Sequence, residues 1–402
     1  MTKTTPPAAA ATSPAAFRLH VGRLSRTTTD AMLAAHFPGC ISSGIARSAG
    51  GKSKQHGFVE YADQAAADAA VRDLHDSQLD GVPNIIVKPA TEAAAAAKTA
   101  TATTAASTKP QPSKKQPAEF GIRRPRQALV DIGANLASRA LKPHIAEVLK
   151  RSAAANTTTV LITGTSLKTS REALQIVKEH AGPVALFSTA GVHPHDATHL
   201  LSDPKTAATW VADLETLITA NKSAVVAVGE TGLDYDRKFS THADQIRVFE
   251  AQLGIAERTG LPLFLHNRDA HDDFLAALQR FPRARRGVVH CYTDTDPAHL
   301  DAYLTLGFHI GITGWVADER RGVELAENIV PRIPLDRLLI ETDAPYLMPR
   351  NIEGRKMKVN EPALLGWVCK KVAECLGVDE EVVAARTTEN ARQLFALPDI
   401  GA

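Results

Sequence analysis

The chain has 402 residues, 44% of them hydrophobic and 22% charged, which excludes a wholly disordered or fibrous protein and predicts more than one domain. It contains no run of 18 apolar residues, which argues against a membrane span, and its four cysteines lack the CxxC spacing of a disulfide framework or a thiolate zinc site. Residues 1–126 contain 16 Lys and Arg against 9 Asp and Glu, whereas the remainder contains 30 against 35. We therefore expect a basic front part that faces a polyanion, followed by a mildly acidic body.

The front of the chain divides into three segments. Residues 1–15 consist mostly of Ala, Thr and Pro, and we expect a disordered tail there rather than a signal peptide. Residues 16–90 alternate between strand-like and helix-like segments in the order βαββαβ. Residues 91–126 are of low complexity and end in a basic cluster, which is typical of a linker. The chain is therefore expected to form a small α+β domain and a larger one, joined by that linker.

The larger domain, residues 127–402, contains eight apolar, β-rich runs that alternate with helical segments. Eight near-continuous apolar strands separated by helices are typical of an α/β TIM (β/α)8 barrel. A doubly wound open sheet is the alternative. We disfavour it because no GxGxxG or GxxxxGK[ST] motif follows any of the strands.

Polar side chains follow almost every predicted strand of this barrel. Glu230, His266, His290 and Asp343 hold the same position on strands four, five, six and eight. The carboxyl ends of barrel strands converge on one face, and imidazole nitrogens together with carboxylate oxygens can chelate a divalent metal ion. Helix capping is the alternative for each residue alone, but it does not require the repeated placement. The pattern predicts a metal site, with Asp131 on strand one as a further candidate ligand.

The motifs around these residues resemble those of the TatD-type metal-dependent deoxyribonucleases over nearly all of residues 127–402. Eight motifs occur in the same order: DIGANL, LITGTSL, STAGVHPHD, VAVGETGLDYDR, FLHNRDAH, VVHCYTDT, HIGITGWVADERRG and LLIETDAPYLMPR. The resemblance implies a TIM-barrel hydrolase that uses one or two divalent metal ions, Mg²⁺ in the first place and Zn²⁺ or Mn²⁺ as alternatives. It also implies Glu230, His266 and His290 as metal ligands. Asp343 would be the acid that orients or deprotonates the attacking water, and His193 would line the site.

Two further groups of side chains suit a phosphodiester substrate. Arg268 is a candidate for contact with the non-bridging oxygens, with an ion pair to Asp269 or Glu230 as the alternative. Trp315 and Tyr235 are candidates for stacking on a base, with packing inside the protein as the alternative for Trp315.

The front domain resembles an RNA recognition motif (RRM), which has the ferredoxin-like βαββαβ fold. The motifs are LHVGRL on strand one and KQHGFVEY on strand three. By this resemblance Phe58, His20 and His56 would stack on bases and Lys54 would contact phosphate. Because two histidines stand where Tyr or Phe is usual, stacking should be weaker than in a typical RRM. Binding of a protein instead of a nucleic acid is the alternative.

Together these patterns predict a metal-dependent nuclease that hydrolyses phosphodiester bonds in DNA or RNA, acting as a 3′ to 5′ exonuclease on single strands with help from the front domain. The direction of digestion follows from the resemblance alone. Hydrolysis of an ester such as an aminoacyl-tRNA at the same site is one alternative, and an RNA-binding adaptor with a silent barrel is another. The expected partners are single-stranded DNA or RNA and no membrane, and the expected compartment is the cytoplasm or nucleus, with the mitochondrion and the oligomeric state left open.

Overall fold

The computed structural model describes residues 17–22, 24, 25, 27–47, 53–74, 77, 79, 80, 85–89, 121–355 and 357–398. The chain divides into two compact units, Met1–Gln111 and Pro112–Ala402. The predicted tail and residues 91–120 of the predicted linker lie outside the described residues. No helix in the described part is long and apolar enough to cross a membrane.

The front unit is a four-stranded antiparallel sheet with two helices, in strand order β2-β3-β1-β4. Strand residues alternate between its two faces, and Leu19, Val21 and Val59 are buried on the face that carries the helices. The predicted βαββαβ fold is confirmed. Its elements are β1 (Phe17–Gly22), α1 (Asp30–His36), β2 (Ser42–Arg47), β3 (Ser53–Tyr61), α2 (Gln64–Leu74) and β4 (Ile86–Pro89).

The second unit is an eight-stranded parallel barrel, which confirms the predicted fold. Its strands follow chain order, and a bridge between Ala134 and Ala344 links the first strand to the segment just after the last. Two backbone hydrogen bonds support this closure, from Asp343 N to Gly133 O at 2.8 Å and from Asn135 N to Ala344 O at 2.7 Å. The strands are β5 (Leu129–Ala134), β6 (Thr157–Ile162), β7 (Ala185–Ala190), β8 (Val225–Asp234), β9 (Leu263–Arg268), β10 (Gly287–Val289), β11 (His309–Ile312) and β12 (Leu338–Ile340).

Helices surround the barrel, and their ends follow the local sequence. Ser166 begins one helix with a reciprocal capping box to Thr169, and Gly260 ends another in the left-handed conformation at φ +70°. The α-helices of this unit are α3 (Ile145–Ala154), α4 (Leu167–Glu179), α5 (Ala197–Ser202), α6 (Pro204–Thr219), α7 (His242–Thr259), α8 (His271–Arg280), α9 (Pro297–Thr305), α10 (Leu365–Leu376) and α11 (Glu380–Phe395).

The last helix, α11, covers the amino-terminal end of the barrel. Its Leu394 and Phe395 pack with Phe264 and other side chains inside the barrel. Thr388 Oγ1 donates to Ala128 O, and Asn390 Nδ2 donates to Leu338 O, at the points where β5 and β12 begin. Because α11 closes this end, a site can form at the opposite end of the barrel, where the carboxyl ends of the strands lie.

Residues 121–126, predicted as the end of the linker, contact the barrel unit. Trp367 Nε1 donates to Gly121 O at 2.7 Å. The Arg123 guanidinium bonds both carboxylate oxygens of Glu380, and the Arg126 backbone N donates to Glu381. Part of the basic cluster that looked available to a polyanion is therefore matched by carboxylates in the first turn of α11.

Candidate functional site

Side chains from several strands meet at the carboxyl end of the barrel, in a cavity of about 550 Å³. Glu230 lies on β8 and His266 on β9, whereas His193, His290 and Asp343 follow β7, β10 and β12. All five line this cavity. The convergence predicted from the strand ends is thus present in the structure.

One carboxylate oxygen, Glu230 Oε1, is the centre of the group. It lies 3.2 Å from His193 Nε2, 3.1 Å from His266 Nδ1 and 2.8 Å from His290 Nε2. The Glu230, His193 and His290 side chains are almost completely buried. A buried carboxylate that meets three imidazole nitrogens is suited to chelation rather than to a solvated surface role.

The charges in this group depend on one another. Burial opposes ionisation of Glu230, but His290 and His193 outweigh it and hold its pKa well below the usual range. Burial lowers the pKa of His193 to about 4, in spite of the Glu230 carboxylate, so this imidazole is neutral at pH 7. Burial also disfavours protonation of His290, but Glu230 and Glu341 raise its pKa well above the ordinary value. Glu230 and His193 are therefore in the forms that ligate metal ions, whereas His290 would have to release a proton to a bound ion.

Two buried acids hold the histidines in place. Asp234 Oδ2 bonds His195 Nε2 at 2.7 Å, and it lies 3.4 Å from His266 Nε2, a buried nitrogen without a hydrogen-bond partner. Glu341 lies 3.3 Å from His290 Nδ1, and it also accepts from the Cys291 backbone N at 2.6 Å. Carboxylates that orient ligand imidazoles in this way usually fix which ring nitrogen faces the metal.

The donor set fits a metal ion. His193, Glu230 and His266 each offer one ligand atom, and these atoms lie within 4.8 Å of one another, which no other group of three such residues does in the described part of the chain. Donors about 2.1 Å from one ion lie about 3 to 4 Å apart, close to the spacing seen here. We conclude that these residues can hold a metal ion, with His290 beside them.

Asp343 forms another part of the cavity wall. Its backbone has φ +50°, in the left-handed region that Asp tolerates better than most residues, and its Oδ1 accepts from Asn135 Nδ2 at 2.9 Å. Burial raises the pKa of Asp343 to about 8, against the opposing effect of His290. Asn135 thus fixes the direction in which the Asp343 carboxyl faces the cavity.

Asp131 does not lie with these residues, although it was predicted as a metal ligand. Its fully buried carboxylate accepts from Thr342 N at 2.9 Å, from Thr342 Oγ1 at 2.5 Å and from Gly133 N at 3.3 Å. It is also absent from the cavity lining. The physical reason is the weak pairing of β5 with β12, where this side chain supplies hydrogen bonds that the backbone ladder lacks.

This contact leads to a prediction about stability. Asp131→Ala should lower the free energy of unfolding of the barrel by about 3 kcal/mol, because it leaves buried donors of Thr342 and Gly133 without acceptors. All three tryptophans lie in the barrel unit, so urea unfolding followed by their fluorescence reports that unit. The exposed Asp213→Ala is the control. An unchanged unfolding midpoint combined with lost metal binding would restore the ligand interpretation of Asp131.

The other side chains that were predicted to contact the substrate at the rim of the barrel have partners within the protein. Arg268 lines the cavity, but its Nε pairs with Asp236 at 3.0 Å rather than with Asp269 or Glu230. Trp315 lies under the Arg321 guanidinium at 4.2 Å. Tyr235 stacks on His242 at 3.6 Å and donates to Asp273, so it lies in a neighbouring cleft.

The predicted aromatic face of the front unit is assembled on β1 and β3. His20 pairs with Phe58 across the two strands, and His56 is two residues further along. The ring centroids of His20 and His56 lie 5.3 Å apart, and those of His20 and Phe58 lie 5.4 Å apart. The Arg18 guanidinium lies 4.1 Å from the Phe58 ring centroid. The Lys54 side chain lies outside the described residues.

Some residues of the barrel site were not singled out by sequence reasoning. Asp234, Glu341 and Asn135 lie at or just after strand ends and orient other side chains, but the sequence gives no sign of their partners. Phe239 contacts His195 edge-on at 4.8 Å, and it follows β8 in a loop where no periodic pattern marks it.

Comparison with known proteins agrees with the geometry. The RNA recognition motif model matches residues 19–83. A solved TatD family hydrolase from Entamoeba histolytica is 24% identical with a TM-score of 0.61, covering 67% of this chain and 98% of its own. An uncharacterised amidohydrolase from Saccharomyces cerevisiae is also 24% identical, with a TM-score of 0.60, covering 67% of this chain and 100% of its own. These structures share the barrel fold.

Closer relatives are bacterial. The protein named 3′-5′ ssDNA/RNA exonuclease TatD from Rahnella sp. (strain Y9602) is 45% identical over 273 residues, which is 67% of this chain and 98% of that protein. The protein of the same name from Pectobacterium parmentieri (strain WPP163) is 43% identical over 276 residues, which is 67% of this chain and 100% of that protein. The family model described as TatD related DNase matches residues 130–396. The chain therefore belongs to the TatD related DNase family, and it carries an RRM-like unit in front of the family's barrel.

Proposed function

We propose that this chain is a divalent-metal-dependent exonuclease that removes nucleotides from the 3′ end of single-stranded DNA or RNA. The observation that carries the proposal is the convergence of His193, His266 and His290 on the buried Glu230 carboxylate. The 3′ to 5′ direction and the single-stranded substrate come from the names of the bacterial relatives.

The residues of the cavity suit phosphodiester hydrolysis. Glu230, His193, His266 and His290 would hold the metal, which when bound screens the phosphate charge and lowers the pKa of water. A cation held by these residues would favour the ionised form of Asp343 over the protonated form that burial favours. Fixed by Asn135, the ionised Asp343 faces the cavity as the group that accepts the proton of the attacking water. Asp234 and Glu341 keep the imidazoles in place while charge develops on the substrate.

The donor set also bears on metal identity. Mg²⁺ was expected from the sequence, but three imidazoles with one carboxylate are richer in nitrogen than a usual Mg²⁺ site. We therefore infer that Mn²⁺ or Zn²⁺ binds more tightly than Mg²⁺.

The inference about the metal predicts the order in which metal ions restore activity. Chelator should abolish digestion reversibly, and Mn²⁺ or Zn²⁺ should restore it at lower concentrations than Mg²⁺. Titration of each metal into the chelated, dialysed full-length protein measures this ranking. Recovery with Mg²⁺ alone would reject the preference, and undiminished digestion in excess chelator would reject the metal requirement itself.

The activity is tested with a single-stranded oligonucleotide that carries a label at its 5′ end. A 3′ to 5′ exonuclease yields a ladder of labelled products that shorten one nucleotide at a time, whereas an endonuclease yields internal fragments at once. The same preparation is assayed on an aminoacyl-tRNA. Ester cleavage without a ladder would favour the esterase alternative, and no cleavage of either substrate would favour the silent barrel.

We also propose that the front domain, at residues 16–90, binds single strands and is joined to the barrel by a linker. The supporting observation is the cluster of His20, His56 and Phe58 on the two central strands. Aromatic stacking contributes about 1 to 3 kcal/mol per base and has little sequence preference.

Phe58→Ala should therefore weaken the affinity of the full chain for a long single-stranded RNA by roughly 5- to 150-fold. Binding is measured at fixed salt with chelator present, because the phosphate contribution varies with ionic strength. Met32→Ala is the matched control, since Met32 is exposed on α1, on the opposite side of the sheet. Equal affinity of wild type and Phe58→Ala would favour the protein-binding alternative.

A further inference from the structure

Two exposed aromatic rings flank the mouth of the barrel cavity. Among the described residues, the exposed large apolar side chains include just two aromatic rings, Phe239 at 68% exposure and Tyr346 at 59%. Tyr346 lines the cavity, and Phe239 lies edge-on against His195, which also lines it. An exposed aromatic ring beside a polar cavity is placed where it can stack on a base of a single strand that enters the cavity.

The two rings lie on opposite sides of the barrel. Phe239 follows β8, the fourth strand, and Tyr346 follows β12, the eighth. In a closed eight-stranded order these strands are four steps apart in either direction. The Glu230 group therefore lies between the two rings.

The loop that carries Phe239 also carries a free cation. Arg237 lines the cavity, and its exposed guanidinium makes no ion pair with any residue of the described part of the chain. Arg268, by contrast, is paired with Asp236. An unpaired guanidinium next to a ring offers both a phosphate contact and a base contact on one side of the cavity.

The side of the cavity mouth beyond β9 and β10 is negatively charged, in contrast to the side that carries Arg237. The neighbouring cleft is lined by four aspartates and a single arginine, and the aspartates are Asp269, Asp272, Asp273 and Asp294. Phosphates of a nucleic acid strand would be repelled there. The charge pattern thus favours a path for the nucleic acid strand between Phe239 and Tyr346.

We propose that Phe239 and Tyr346 are base-stacking platforms that hold the nucleotides on either side of the scissile phosphate. The inference rests on the proposed nuclease function, and it assigns the single-strand preference to particular side chains. Rings on opposite sides of the cavity can both stack only on bases that are splayed apart, as they can be in a single strand, and stacking on a ring accepts any base. The enzyme should therefore digest single strands of any sequence and leave paired ends intact.

The test compares KM with kcat on a single-stranded oligonucleotide, using full-length protein in the Phe58→Ala background so that the front domain contributes little. Phe239→Ala and Tyr346→Ala should each raise KM by roughly 5- to 150-fold and lower kcat much less. Phe239→Tyr and Tyr346→Phe keep a ring and should retain the starting KM. Val382→Ala removes another exposed apolar side chain, from α11, and should leave KM unchanged.

A second measurement separates this proposal from the nuclease function. An oligonucleotide with 2-aminopurine near its 3′ end is titrated with chelated protein, and stacking on a ring changes its fluorescence. Loss of that change in both alanine variants supports the platforms even if no digestion is found. The stacking role would be overturned if both variants digest normally, with the starting KM, and show the same fluorescence change on binding as the protein without these substitutions. In that case the nuclease function would still stand.

Discussion

Glu230→Gln should reduce the rate of nucleotide release by at least about 1,000-fold, the largest effect we expect from a single substitution. Glutamine has nearly the same size, but it removes the negative charge that faces His193, His266 and His290. Without that charge the imidazoles remain as weak neutral donors, so the affinity for a divalent ion falls together with the rate.

Two measurements are needed for Glu230→Gln. Metal affinity is measured by calorimetry on the dialysed protein, and the rate is measured on a labelled single strand. Glu327→Gln is the control, because Glu327 is an exposed glutamate in the helix Leu325–Ile329. Full metal affinity in Glu230→Gln would show that the histidines bind the ion without it, and a wild-type rate would remove Glu230 from the reaction.

Asp343→Asn should lower kcat by roughly 100- to 10,000-fold and change KM little, as expected when a general base is lost. The amide oxygen can still accept from Asn135, so the shape of the cavity wall is retained while the basic oxygen is removed. The substrate should then bind as before, but deprotonation of the attacking water should be slower.

The comparison for Asp343→Asn is Asp336→Asn. Asp336 lies just before β12 at the opposite end of the same strand, where it is exposed. Steady-state kinetics on short single strands separates kcat from KM. A rise in KM at constant kcat would make Asp343 a binding residue instead.

The part of the site that the sequence could predict is the part that strand geometry determines. Glu230, His266 and His290 converge because the ends of parallel strands share one edge, whatever the loops do. The position of Asp131 could not be predicted, because alternation cannot say whether a buried carboxylate faces the cavity or a neighbouring strand. Its partner, Thr342, is 211 residues away in the chain.

A long-range ion pair explains why the contacts of residues 121–126 could not be predicted from the sequence. Arg123 looked like part of a solvated basic linker, yet its partner Glu380 is 257 residues away. Composition reports local character, and it carries no information on such a pairing. Phe239 and Tyr346 were missed for a related reason, since their exposure depends on loop conformations that no periodicity describes.

The closure of the barrel by α11 has a consequence for synthesis of the protein. The ribosome makes the front unit first, and domains generally fold as units while the chain emerges. The barrel cannot close until much later, because β5 is bridged to Ala344, just after β12, and the interior needs Leu394 and Phe395 from α11. At about 5 to 20 residues per second, Phe264 and its apolar neighbours remain uncovered for several seconds or longer after they are made. A cell that makes this enzyme must therefore protect a half-built barrel from aggregation until α11 has been made.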